Sequence, residues 1–160
     1  MPSHLPTAKN IRDLFTDLLG RDATLAPTAP FAPGPKNPAS IAVYVDDYLR
    51  ITALIACDLP LSAYVGAAIG LVPVGGADAA VEGGILPDNL RDNLYEVLNV
   101  AASLFNAPGA DHLRLYELHP AGPALPPQLQ AQALTLGRRE DVEVDIAGYG
   151  AGRLSVVLVA

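Results

Sequence analysis

Tryptophan is absent and cysteine occurs once in this chain. The lone Cys57 excludes an internal disulfide and reads as a small buried hydrophobe. Basic residues are scarce and scattered: Lys+Arg number 10 against Asp+Glu 17, a formal charge of -7. A phosphate-backbone footprint needs clustered Lys and Arg, so nucleic acid is not an expected partner. No basic-then-apolar leader precedes the first periodic segment, so the expectation is a cytoplasmic protein. A long apolar run is also missing. The uncharged stretch "LPLSAYVGAAIGLVPVGGA", Leu59 to Ala77, is bracketed by Pro60 and Pro73. That leaves a helical run of about twelve residues, short of the roughly twenty that span a bilayer. Gly66 and Gly70 in GxxxG spacing instead suggest a buried helix that another element approaches closely. "VPVGGADAAVEGG" has glycines but no Gly-Lys-Ser/Thr, which excludes a Walker-type phosphate loop and leaves a flexible connection.

What is present is a core. Hydrophobic residues make up 51% and charged residues 17% of 160 positions, which suits one globular domain over residues 1–160. "AKNIRDLFTDLLG" spaces Ile11, Leu14, Phe15, Leu18 and Leu19 as an amphipathic helix closed by Gly20. "APTAPFAPGPKNPAS", with prolines from Pro27 to Pro38, is an extended connector. "SIAVYVDDYLRITALIACD" is a hairpin turning at Asp46-Asp47, and Asp58 can cap the uncharged helix, with Pro60 in its first turn. "HLRLYELHP" reads as a strand, "AGPALPPQLQAQ" as a proline-rich crossing, and "DVEVDIAGYGAGRLSVVLVA" as two strands joined through Gly148 to Gly152. The expected fold is α+β, with about three helices layered on a largely antiparallel sheet.

Between them lies "PDNLRDNLYEVLNVAASLFN", Pro87 to Asn106. At about 100° per residue, Leu90, Leu94, Val97, Leu98, Ala101, Leu104 and Phe105 gather on one face and should be buried. Asp92, Glu96, Asn99 and Ser103 fall opposite, inside an arc of roughly 60°. Such a ridge can simply face water. Two choices point further: Asp92 and Glu96 are like charges at i, i+4, and asparagine is a modest helix former. Both suit a surface kept for a partner that brings a cation and a site for the amide.

"DNLYEVLN" has the form D-x-x-x-E-x-x-N and resembles the signature of the CheC, CheX and FliY phosphatases, which dephosphorylate the chemotaxis response regulator CheY. The order of elements is similar over nearly the whole chain, and the single copy of the motif resembles CheX. The resemblance implies a hydrolase acting on the aspartyl phosphate of a CheY-like receiver domain, in chemotaxis or related two-component signalling. In it, Glu96 would pair with the receiver's lysine, Asn99 would orient the attacking water, and Asp92 and Ser103 would assist docking. The divalent metal, magnesium, would belong to the receiver, and this chain would need no cofactor of its own. Ser103 stands where many members carry glycine, and Tyr95 sets a bulky ring beside Glu96. The competing expectation is an adaptor that binds a receiver through the same ridge without chemistry. A third is a dimerisation module using an exposed strand edge.

Other constellations are weaker. His112 and His119 bracket a strand with Glu117 between, but neither they nor His4 match a zinc spacing, so no metal site is expected. Ser62, Ser103 and Ser155 lack a paired histidine, and no G-x-S-x-G elbow occurs. Asp141, Glu143 and Asp145 alternate with Val142, Val144 and Ile146 as the solvated face of a strand. Tyr44, Tyr48 and Tyr64 read as core or rim aromatics.

Overall fold

The computed structural model describes residues 3–159. Helix α1 spans Ala8–Leu19; Thr7 and Asn10 form a reciprocal capping box, and Gly20, at φ 65°, closes the helix. The expected hairpin is β2 (Ala39–Val45) and β3 (Ile51–Asp58). Its turn is held by Asp46, which accepts hydrogen bonds from the Tyr48 and Arg50 amides and from Arg50 Nε. Asp58 caps α2 (Leu59–Ile69) through the Leu61 amide, with proline in the first turn. No helix among the described residues is long and apolar enough to cross a membrane.

Three elements were hidden in the sequence. "ATLAP" forms β1 (Ala23–Pro27), whose five residues pair with β5. The glycine-rich connection folds as helix α3 (Val74–Gly83), with Gly84 at φ 74° behind it. The proline-rich crossing contains α5 (Pro127–Ala133). In both missed helices proline stands at or beside the first turn, where its missing amide costs nothing. The motif helix, α4, covers Asp88–Val100 and passes into a 3-10 turn, Ala101–Leu104.

Together with β4 (Arg114–His119), β5 (Arg139–Ile146) and β6 (Gly150–Leu158), the strands form a six-stranded sheet in the order β1-β5-β6-β3-β2-β4. Every pairing is antiparallel. The fold is thus α+β, as the segregation of elements predicted. Strand β2 is buried at all seven positions, because both sheet faces are covered. Tyr44 and Ile55 join Phe15, Leu61, Leu94 and Phe105 beneath the helices. Val43 and Leu54 point the other way, onto Phe31, Leu125 and Leu129 of the proline-rich segments and α5.

Candidate functional site

Helix α4 owes its place to glycine. A Cβ on Gly66 would sit 2.5 Å from the Leu90 carbonyl oxygen, and one on Gly70 would collide with the Asn93 side chain. Only hydrogen fits there, so α2 and α4 approach backbone to backbone, and the Asn93 amide donates to the Gly66 carbonyl at 2.9 Å. Leu90, Leu94, Val97 and Leu98 are buried below. Their burial sets the helix azimuth and turns Asp92, Glu96 and Asn99 out to solvent.

These three differ in how far they are already engaged. Arg91 lies against Asp92 at 3.2 Å and reaches Asp88 at 3.5 Å, so the like-charge cost at i, i+4 is partly relieved within the helix. Among the described residues, no hydrogen bond or ion pair engages the Glu96 carboxylate or the Asn99 amide. Tyr95 and Val100 flank the ridge, 39% and 46% exposed. An acidic, apolar-edged surface with an unpartnered amide is therefore what the helix offers.

Ser103 is exposed but does not continue the ridge as a single α-helix would place it. It stands on the 3-10 turn, and winding at about 120° per residue instead of 100° carries it roughly 60° round the axis. There it shares a shallow depression of about 390 Å³ with Asn10, Asp13 and Asp17 of α1. The same transition leaves Leu104 half-buried where full burial was expected.

The remaining candidates are spread apart. His119 contacts Glu117 at 3.0 Å and His112 lies 3.9 Å from Asp47; among the described residues, no cluster of three or more His, Cys, Asp or Glu could hold a metal ion. Cys57 is buried and free, and burial, with Asp58 nearby, pushes its thiol well above the ordinary range. Ser62 spends its hydroxyl on Ser40 and on the Cys57 and Asp58 carbonyls. Of the β5 carboxylates, Glu143 and Asp145 are exposed, whereas Asp141 is not the solvated residue that alternation suggested. It pairs bidentately with Arg139 at 2.8 and 2.9 Å and accepts from Ser155 at 2.6 Å. Burial pushes its carboxyl up, but the Arg139 and Ser155 hydrogen bonds outweigh this and hold it below the usual value. A cleft of about 420 Å³ between the proline turn, Gly122 to Leu125 and Gln130 contains no ridge residue.

No family model matches the sequence, and no curated protein does. Solved structures do. The FliM middle domain of H. pylori superposes with a TM-score of 0.58 at 8% identity, covering 95% of this chain and 84% of that one. A chain of the CheX-CheY-BeF3-Mg complex from Borrelia burgdorferi gives 0.50 at 9% identity, with 92% of each chain covered. FliY of Thermotoga maritima gives 0.50 at 12%, over 93% of this chain and 82% of that. The fold is that of CheX, FliY and the FliM middle domain. At these identities the likeness is one of architecture, and it agrees with the CheX resemblance carried by "DNLYEVLN". Two site features escaped sequence reasoning. Neither the Asn93 bridge to α2 nor the hydrogen bond from the Tyr44 hydroxyl to the Leu98 carbonyl of α4 leaves a local signature, since each joins residues far apart in the chain.

Proposed function

We propose that the chain docks the α4 ridge onto a phosphorylated CheY-like receiver domain and hydrolyses its aspartyl phosphate. The observation that carries this reading is the pair Glu96 and Asn99, one turn apart on a rigid helix, both exposed, their side chains without a partner among the described residues. Phosphoryl transfer depends chiefly on positioning and charge stabilisation. A receiver that already holds its divalent metal needs only an oriented water. In this reading Glu96 pairs with a lysine of the receiver, and the neutral Asn99 amide, free to donate and accept, aligns the nucleophile. Asp92 and Ser103 add contacts at the rim. The occurrence of this fold in a CheX-CheY complex supports the choice of partner.

A second reading is a receiver-binding adaptor without catalysis. It is favoured by the likeness to FliM, which is described in complexes with SpeE and with FliG. The test is the decay of a magnesium-loaded, phosphorylated receiver with substoichiometric protein, wild type beside Asn99→Ala and Glu96→Ala. Faster decay that Asn99→Ala removes while binding persists supports the phosphatase. Binding without any change in decay by the wild type selects the adaptor. A self-pairing edge strand, β1 or β4, would give the dimer expected of a third reading, and light scattering at micromolar concentration decides it.

A further inference from the structure

Tyr44 is wholly buried near the end of β2, yet its hydroxyl has a partner in the motif helix: it donates to the Leu98 carbonyl at 2.6 Å. That carbonyl shares one rigid peptide plane with the amide nitrogen and Cα of Asn99. Anchoring it from below anchors the origin of the Asn99 side chain. The contact falls where the helix changes form. The last α-type bond runs from the Ala101 amide to the Val97 carbonyl, the next carbonyl is Leu98's, and the chain continues as a 3-10 turn. Engaged from the core side, the Leu98 carbonyl is drawn toward Tyr44 and away from the continuing α-helical ladder.

The platform beneath is built for this. Tyr44 is flanked by β3 and β4, and both ladders shift register at it, between Tyr44 and Val45 on one side and between Val43 and Tyr44 on the other. Such irregularities re-aim a side chain and are common beside functional sites. The ring is held against Phe105, centroids 5.0 Å apart and planes inclined by 56°, so the 3-10 turn is clamped at both its start and its end. A buried phenylalanine would fill the same space, and only the hydroxyl requires tyrosine.

We propose that Tyr44 is a positioning residue for Asn99: its hydroxyl, by holding the Leu98 carbonyl at the α-to-3-10 transition, sets the direction in which the Asn99 amide meets the phosphorylated partner. This rests on Asn99 as the water-orienting group. A displacement of about 1 Å in such a group costs on the order of a hundredfold in rate, and loss of one anchor should cost about tenfold.

The experiment compares Tyr44→Phe with Ile41→Val, a core change on the opposite face of the sheet. Receiver dephosphorylation, receiver affinity, thermal unfolding and amide NMR spectra are recorded for both and for the wild type. Tyr44→Phe should lower kcat about tenfold with KM and affinity unchanged, and should move the Asn99 side-chain amide resonances and speed amide exchange at Ala102 and Ser103. Ile41→Val should change none of these at a temperature where it is folded. If the wild type is active and Tyr44→Phe retains its kcat, the positioning role is overturned while the phosphatase reading stands. If the wild type does not accelerate decay, the phosphatase reading fails and the spectra decide: shifted Asn99 resonances uphold the anchoring, and unchanged ones overturn it.

Discussion

The α4 ridge and the polar knot of Arg139, Asp141 and Ser155 use similar side chains to opposite ends. In the knot every charged group is consumed internally. Arg139 also donates to the Ala133 carbonyl at the end of α5 and to the Thr135 carbonyl behind it, and the pair is about nine-tenths buried, with side-chain exposures of 8% and 10%. On the ridge, the Glu96 and Asn99 side chains have no partner among the described residues. Polar residues that satisfy one another hold a fold together; those held apart on a rigid element retain their bonding capacity for a partner. The two regions should therefore respond to mutation in opposite ways.

The largest effect is expected in the knot. Asp141→Ala leaves a buried guanidinium unpaired and should cost about 3 kcal/mol of stability in denaturant unfolding, with receiver turnover unchanged in the folded protein. Asn99→Ala should do the reverse. It replaces an exposed asparagine by the best helix former and should gain about 0.5 kcal/mol, while turnover falls on the order of a hundredfold. A variant set in which stability and turnover fell together at both sites would break the comparison.

The pH dependence sharpens it. Because the Asp141 carboxyl is held below its ordinary 3.8 when folded, its contribution is present above that value. It is lost as pH falls through the lower folded pKa. Wild type should thus lose stability below about pH 4 more steeply than Asp141→Ala, as chemical unfolding at stepped pH would show. Glu96→Ala should weaken receiver binding about tenfold, with a reduced salt dependence of association by titration. Asp92→Ala should weaken it least, about twofold, since Arg91 already neutralises that carboxylate.

How much was legible follows from the range of each interaction. Helix α1, the β2–β3 hairpin, β4 and the β5–β6 pair are written in local periodicity and caps, and the chain read alone shows them. The edge strand β1 was not legible, since five residues of "ATLAP" become a strand only against β5. Nor was α3, whose glycines argue against a helix until its buried Ala77 and Ala80 find the core. At the site, the wheel placed Asp92, Glu96 and Asn99 on one face because the 3.6-residue period is intrinsic to the backbone. It misplaced Ser103, because the change to a 3-10 turn accompanies a contact to Leu98 from Tyr44, 54 positions earlier in the chain.

The sequence by itself thus determined which residues could form a polar ridge, since helical geometry needs only neighbours along the chain. Only the tertiary structure decided that the ridge faces outward, that the element seated against Gly66 is α4, and where the α-helix ends. Those outcomes rest on packing and hydrogen bonds between distant segments, which exist only once the sheet and helices have come together.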